Sequence, residues 1–137
     1  MVPKLTKPGY ETEPSYYRIC KMTEAQLAIV HNFAISNRWG KVIFHEAVDL
    51  RNLDLDMMIS FERKSVEIYC DDHSKPQVGE GLNKPATITF YDFGLSKNAE
   101  VFDKQLEKIR TWIELTGGEI IRIDTENDTV SIKVDHF

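Results

Sequence analysis

The strongest periodic pattern lies in the last third of the chain. Four apolar residues recur at spacings of four, three and four and so share one stripe of an α-helix: Phe102, Leu106, Ile109 and Ile113. Asn98 is a suitable N-cap, and Gly117-Gly118 is a suitable end. The charged residues between the apolar positions are typical of a solvated face. The pattern predicts one long helix near residues 98–116 that packs on a sheet.

Shorter apolar runs with a period of two predict β-strands in the middle and at the end of the chain. Between His31 and Tyr91 there are five or six of them, over 32–36, 41–45, 48–56, 57–61, 65–70 and 86–91. The first two form a hairpin whose turn is Asn37-Arg38-Trp39-Gly40. Two further strands, Glu119–Asp124 and Thr129–Phe137, close the chain. A single open antiparallel sheet or a small sandwich accommodates this number of strands.

The first part of the chain has a different character. Pro3, Pro8 and Pro14 predict an extended arm over residues 1–14. Two short helices should follow, one after Pro14-Ser15 and one after Thr23, since Thr23-x-x-Gln26 has the spacing of a capping box. At 137 residues the chain is interpreted as one α+β domain, residues 1–137, which begins with this arm.

A long polar loop from Asp71 to Lys84 separates the strand-like runs Ser65–Cys70 and Ala86–Tyr91. Ordinary hairpin loops have about 2–5 residues, so this length needs a reason. The sequence favours a solvated excursion. The alternative is a loop folded back over a site, for which Gly79 and Gly81 give the required backbone freedom.

Composition and charge narrow the class of protein. The chain is 42% apolar and 28% charged, as in soluble globular domains, with no apolar span long enough for a membrane and no signal peptide. The formal net charge of −5 arises in the second half, where eight Lys/Arg stand against thirteen Asp/Glu over residues 69–137. Nucleic-acid binding would therefore need a local basic patch.

Candidate catalytic and metal-binding patterns are weak. Cys20 and Cys70 predict reduced thiols in a cytosolic or nuclear compartment rather than a disulfide framework. The four histidines are scattered and neither cysteine has a sequence neighbour that would mark it as a nucleophile, so no metal site, cofactor or nucleophile is predicted: His31, His45, His73 and His136. Gly79-Glu80-Gly81 lacks the third glycine of a dinucleotide loop. Residue types and spacing alone indicate a soluble α+β domain and nothing more specific.

Three segments carry a resemblance that goes further. Leu5–Tyr10 (LTKPGY), Lys75–Asn83 (KPQVGEGLN) and Val134–Phe137 (VDHF), in this order and spacing, resemble the C-terminal autoproteolytic domain of the ninety-eight-kilodalton nucleoporin family. Fungal members of that family carry GLFG repeats upstream. The resemblance spans nearly the whole chain, and it implies a β-sandwich-like domain in which a larger, mainly antiparallel sheet packs against a smaller one and helices flank both. It also implies localisation at the nuclear pore complex, in the nuclear envelope.

The family's self-cleavage occurs after a His-Phe pair that precedes a serine. The resemblance makes His136 the equivalent of the active-site histidine and Phe137 the residue whose carbonyl is attacked. The reaction needs a hydroxyl on the next residue and a group that takes its proton. No residue follows Phe137 in this sequence. We therefore expect the chain as given not to act as an enzyme, whereas a Ser or Thr after Phe137 in the full gene would predict a self-cleaving autopeptidase.

The resemblance then implies anchoring by protein interaction. Family members bind a scaffold nucleoporin, either a β-propeller or the N-terminal segment of the partner that cleavage releases, and so tether the upstream repeats for nucleocytoplasmic transport of mRNA and protein. The predicted mode is an extended segment in a groove beside the chain end and the central loop. The predicted partner-binding residues are Lys75, Gly79, Gly81, Leu82, Asn83, His136 and Phe137.

RNA binding is the alternative function. The segment Asn37–Phe44 is similar to a basic-aromatic octapeptide described as an RNA-binding motif in fungal relatives. Arg38 and Lys41 would meet phosphates while Trp39 stacks on a base. Two cations in an electrically neutral half of an acidic chain make a small electrostatic footprint, so protein binding is the preferred interpretation.

Overall fold

The computed structural model describes residues 2–70 and 75–137. Within these residues it contains eight strands and four helices. The strands are β1 (Glu11–Glu13), β2 (Ala34–Ser36), β3 (Gly40–Phe44), β4 (Ser60–Glu62), β5 (Ser65–Glu67), β6 (Ala86–Phe90), β7 (Glu119–Asp124) and β8 (Thr129–Val134). The helices are α1 (Tyr16–Ile19), α2 (Glu24–Leu27), α3 (Leu55–Met58) and α4 (Ala99–Thr116).

Six strands form the large sheet in the order β1-β2-β3-β6-β8-β7, and every neighbouring pair is antiparallel. β4 and β5 pair separately as a two-stranded hairpin. Together with the helices, this confirms the predicted α+β class with a larger sheet and a smaller one. The five strands described between His31 and Tyr91 agree with the predicted five or six.

The core forms on one face of the central strands. Val42 of β3 lies opposite Ile88 of β6, and Ile88 lies opposite Ile132 of β8, so the three side chains form a row across the sheet. Each is buried, and full burial of one such aliphatic side chain stabilises a fold by about 1.5–3 kcal/mol. The opposite face is polar, with the hydroxyls of Thr89 and Ser131 2.9 Å apart. This alternation explains why the strands could be recognised in the sequence.

Two elements cover the core face side by side. The hairpin β4–β5 comes so close that a Cβ on Gly40 would lie 3.0 Å from Cγ2 of Val66 and 3.1 Å from the carbonyl oxygen of Thr89. Glycine therefore permits the contact between the two sheets. Helix α4 lies beside the hairpin, and the Trp112 ring meets that of Phe90 at a centroid distance of 5.4 Å. A groove remains between the hairpin and the helix.

Helix α4 follows its predicted bounds closely. Asn98 is the N-cap, and its Oδ1 accepts from the N–H groups of Glu100 and Val101 at 3.0 and 3.2 Å. Gly117 ends the helix with φ of +76°, a left-handed conformation that favours glycine. Ile109 and Ile113 are the stripe residues that reach the core. The two short helices are also present, with Ser15 and Thr23 as their N-caps.

Four predicted strands differ from the structure by three residues or more, among them the strand predicted over 65–70, which ends at Glu67. The 48–56 run does not form a strand of the sheets, and its end begins helix α3, because the Asp54 side chain accepts from the N–H of Met57 and caps a helical turn. The predicted strand 57–61 consequently begins only at Ser60. The last strand ends at Val134, so Asp135, His136 and Phe137 lie beyond the sheet.

The N-terminal arm is held along the body. Its end, β1, pairs with β2 at the edge of the large sheet. Nearer its start, the N–H of Lys4 donates to the Leu53 carbonyl at 2.8 Å, and the N–H of Leu55 donates to the Lys4 carbonyl at 2.9 Å. None of the helices in the described part of the chain combines the length and the apolar character needed to cross a bilayer.

Candidate functional site

The described part of the central loop, residues 75–84, is folded on itself. The N–H of Gly79 donates to the Asn83 carbonyl at 2.7 Å, and the N–H of Asn83 donates to the Glu80 carbonyl at 2.9 Å. Gly79 and Gly81 have φ of +95° and +57°, which glycine adopts without strain. Residues 75 and 77–80 are exposed, as the favoured expectation of a solvated excursion requires, whereas Leu82 and Asn83 are buried, as in a loop that folds back onto the body. The remaining loop residues, 71–74, lie outside the described residues.

Leu82 and Tyr69 attach the loop to the body. The Leu82 side chain is fully buried, and its N–H donates to the Tyr69 hydroxyl oxygen at 2.9 Å. Burial raises the pKa of Tyr69 above its ordinary value, and the hydrogen bond from Leu82 opposes this more weakly. The phenol therefore stays neutral at physiological pH and accepts this hydrogen bond in a half-buried position.

Asn83 joins the loop to the end of the chain. Its Oδ1 accepts from the N–H of Phe137 at 2.7 Å, and its Nδ2 donates to the Pro76 carbonyl at 3.0 Å. The residue is 3% exposed, so both hydrogen bonds are shielded from water. The Phe137 ring packs on Phe44, with ring centroids 5.9 Å apart. We call Asn83, Pro76 and Phe137 the terminal clasp, because they fix the last residue of the chain against the central loop.

An apolar groove begins at the terminal clasp. It lies between β5 and α4 on the core face of the large sheet and has a volume of about 380 Å³. Ile88, Phe90 and Ile132 are sheet residues in its lining, and His136 and Phe137 are the chain-end residues. We call it the sheet groove. It can accept an extended chain with apolar side chains.

A second groove is formed by the loop itself. Its volume is about 570 Å³, and it is lined by Asp49, Leu53, Met58, Tyr69, Pro76, Gly79, Glu80, Gly81 and Lys84. We call it the loop groove. The Lys84 ammonium donates to the Ala47 carbonyl at 2.6 Å, which fixes one side of it.

The structure thus brings the predicted partner-binding residues into one region. Gly79 and Gly81 line the loop groove, and His136 and Phe137 line the sheet groove. Leu82 and Asn83 are buried and support the loop from inside. Lys75 is exposed at the start of the described loop. Their roles in binding stay predictions.

Residues of the groove walls were not found by sequence reasoning. Tyr69 and Val66 belong to the segment predicted as a strand, and Trp112 belongs to the predicted long helix. Their proximity to the chain end comes from the packing of distant segments. The only local signal was the polar hydroxyl of Tyr69 at the end of an apolar run.

The predicted RNA-binding residues lie at the β2–β3 turn. The guanidinium carbon of Arg38 lies 4.2 Å from the centroid of the Trp39 ring, so one face of the indole is already covered. Lys41 shares a cleft with Glu11 and Glu13. Nearby carboxylates oppose binding of a phosphate chain. This geometry does not favour the RNA role, which stays a prediction.

Comparisons with known proteins agree on one family. The family model described as nucleoporin Nup98-96 autopeptidase S59 matches residues 7–137. The nuclear pore complex protein Nup98-Nup96 of Dictyostelium discoideum is 38% identical over 101 residues, which are 72% of this chain and 5% of that protein. The chain therefore corresponds to a small part of that curated relative.

Solved structures show the same fold. The Nup145N APD of Chaetomium thermophilum, a mutant fused to Nup145C N, has a TM-score of 0.81 and 26% identity, over 94% of this chain and 95% of that chain. The yeast Nup82-Nup159-Nup116 complex contains a chain with a TM-score of 0.81 and 24% identity, over 96% of this chain and 98% of that chain. At that identity the second likeness concerns the fold alone.

Proposed function

Since the chain belongs to the Nup98-96 autopeptidase S59 family of nucleoporins, we propose that it is the pore-anchoring, protein-interaction domain of an FG nucleoporin. In this role it binds a scaffold nucleoporin and tethers upstream repeats for nucleocytoplasmic transport. The family membership confirms the identification as a nucleoporin C-terminal domain of the autoproteolytic type, which belongs at the nuclear pore complex. Membership in the fungal GLFG group stays a prediction, which the gene sequence upstream of residue 1 tests.

The terminal clasp is the observation that carries this proposal. Asn83 fixes the backbone of Phe137 at 2.7 Å, directly at the sheet groove that Phe137 and His136 line. A surface that is already ordered loses little entropy when a partner binds, so preformed grooves favour affinity. The lining of Ile88, Phe90 and Trp112 offers the aromatic and aliphatic contacts that dominate binding energy.

The form of the groove suits an extended segment of the partner. It lies between a hairpin and a helix, where a peptide in an extended conformation can bury alternate side chains. The solved Nup145N APD of Chaetomium thermophilum, which is fused to Nup145C N, supports this type of partner. A β-propeller scaffold nucleoporin that inserts a loop is the other predicted partner. Both would contact the sheet groove.

The test blocks the groove at exposed positions, so that the fold is kept. Glu67 and Thr116 line the sheet groove with exposed side chains, and the double variant Glu67→Lys/Thr116→Arg places two long cations there. Glu107→Lys/Thr111→Arg on the exposed surface of α4 is the matched control. Affinity for recombinant β-propeller domains and N-terminal segments of scaffold nucleoporins from the same organism is measured by calorimetry.

We expect the groove variant to bind its partner at least about tenfold more weakly than the control, as when central contacts of an interface are lost. Circular dichroism should show equal thermal unfolding of both variants. Equal affinities of the two folded variants would refute the placement of the binding site at the sheet groove. If the wild-type domain bound none of the tested scaffold domains and segments, the anchoring function would be refuted.

Self-cleavage is a second candidate, favoured by the position of Phe137. Its N–H is fixed by Asn83, and this holds the residue whose carbonyl would be attacked. The hydroxyl of the residue directly after Phe137 would add to that carbonyl, and the C–N bond would break as the nitrogen takes up the hydroxyl proton and leaves as an amine. Water would then hydrolyse the resulting ester to a Phe137 carboxylate and a free hydroxyl. The codon that follows Phe137 in the gene tests this. If it encodes Ser or Thr, expression of the longer chain should yield two fragments, and replacement of that residue by Ala should yield one.

A further inference from the structure

A third groove lies on another part of the surface, around helices α1 and α2. It has a volume of about 500 Å³ and is lined by Pro14, Arg18, Lys21, Met22, Gln26, Ile29, Val30 and His31. None of these residues lines the sheet groove or the loop groove. We call it the basic groove.

The charge of this groove is opposite to that of the chain. Arg18 and Lys21 are exposed cations, His31 adds an imidazole, and no carboxylate belongs to the described lining residues. The chain as a whole carries −5. Of the acids nearest in sequence, Glu13 lines a cleft with Lys41, and Glu24 is not among the residues that line the groove.

The apolar part of the groove is also accessible. Ile29 is 60% exposed, although it neighbours the buried Val30, and Met22 is half-buried beside it. An exposed aliphatic side chain flanked by cations on a concave surface is an arrangement that a complementary partner covers.

We infer that the basic groove binds an acidic peptide segment that carries one or two aliphatic residues. The aliphatic residues contact Ile29 and Met22, and the carboxylates pair with Arg18 and Lys21. A bidentate pair with the Arg18 guanidinium would set the orientation of the segment.

A nucleic acid fits the same groove less well. Tyr17 is the nearest exposed aromatic residue in the sequence. The Lys21 ammonium lies 4.8 Å from the centroid of its ring and covers one face, so only the other face is available for base stacking. A long polyanion would also meet the net negative charge of the chain, whereas a short acidic peptide interacts with the groove alone.

The test uses two labelled probes of equal length and charge. One is a fluorescein-labelled twelve-residue peptide of Asp and Glu with two central leucines, and the other is a labelled single-stranded RNA of matched charge. Fluorescence anisotropy is measured at low and high salt with the wild type, Arg18→Glu/Lys21→Glu, Ile29→Asp and the control Lys104→Glu/Arg110→Glu. The control reverses two exposed cations of α4.

We expect saturable peptide binding that weakens at least about tenfold in Arg18→Glu/Lys21→Glu and several-fold in Ile29→Asp. The control should keep the wild-type affinity, and salt should weaken binding. Absence of saturable binding at millimolar peptide, an equal loss in the control, or tighter binding of the RNA than of the peptide would overturn the inference. Because the sheet groove is unchanged in these variants, their binding to a scaffold nucleoporin reports separately on the proposed function.

Discussion

A single amide side chain, that of Asn83, connects the central loop with the chain end. Replacement by Ala removes an acceptor from the N–H of Phe137 and a donor from the Pro76 carbonyl. Loss of two shielded hydrogen bonds should lower the free energy of unfolding by about 2–3 kcal/mol. Urea denaturation of the variant and the wild type measures this difference in the free energy of unfolding. The control Asn127→Ala, at an exposed turn, should cost less than about 1 kcal/mol. Equal effects would show that the clasp does not stabilise the fold.

Substitution of Gly81 by Ala tests how tightly the loop is packed against Tyr69. Its φ is +57°, and a Cβ there would lie 2.9 Å from the Tyr69 hydroxyl, whereas at Gly79, with φ of +95°, a Cβ would meet nothing within 4 Å. Gly79→Ala should therefore cost about 1 kcal/mol of backbone strain, and Gly81→Ala should cost more because of crowding. In a Tyr69→Phe background the difference between the two variants should shrink. Thermal unfolding of the four variants measures this, and an unchanged difference would contradict the crowding.

The residues of the site were partly predictable. The two glycines of the loop indicated unusual backbone conformations, and both have positive φ. The hydrogen bond between Asn83 and Phe137 joins residues 54 positions apart, and no local pattern encodes such a contact. The resemblance brought both residues into one hypothesis, while their geometry required the folded chain. Tyr69 was missed for the same reason.

At the scale of elements, one carboxylate joins the N-terminal arm to helix α3. Asp56 at the start of α3 accepts from the N–H and the hydroxyl of Thr6, both at 2.7 Å, and from the N–H of Lys7 at 3.0 Å. The hydrogen bond from the Thr6 hydroxyl is the main cause that lowers the pKa of Asp56 below its ordinary value of 3.8. A lowered pKa contributes stability that is present above the unfolded value and lost as pH falls through the folded one.

Asp56→Asn should therefore be less stable than the wild type at pH 7, and the difference in Tm should shrink as pH falls below about 4. Thermal unfolding at pH 7, 5 and 3 measures this. The control Asp103→Asn, on the exposed surface of α4, should change Tm little at each pH. A difference between Asp56→Asn and the wild type that stays constant with pH would contradict the role of the carboxylate.

Elements differ in how well their sequences specify them. Helix α4 combines a 3.6-residue period, the Asn98 cap and Gly117, and these local signals agree, so its bounds were predicted. Helix α3 is only 4 residues long, and the alternation of leucine and aspartate before it has the period of a strand. Its helical form depends on the Asp54 cap and on the arm that packs beside it. Such tertiary contacts override a short pattern.

On the scale of the whole molecule, the two proposed docking surfaces differ in chemistry and lie in different places. The sheet groove is largely apolar and lies on the core face beside the chain end, while the basic groove lies around α1 and α2. The two share no lining residue. Substitutions at distant sites without common partners usually act additively. Because the two grooves share no lining residue, we expect substitutions in one of them to leave binding at the other unchanged.

The distribution of charge around the β2–β3 turn is unfavourable for RNA binding. The Arg38 guanidinium covers Trp39, Lys41 lies beside Glu11 and Glu13, and the chain carries −5. We expect binding of a labelled single-stranded RNA to be weak, and Arg38→Ala/Lys41→Ala to change its dissociation constant less than about twofold at 50 and 200 mM salt. The matched control is Lys104→Ala/Arg110→Ala on α4. Strongly salt-dependent binding that the first variant abolishes and the control retains would contradict this prediction, because it would mean that the β2–β3 turn rearranges and presents both cations to the phosphates.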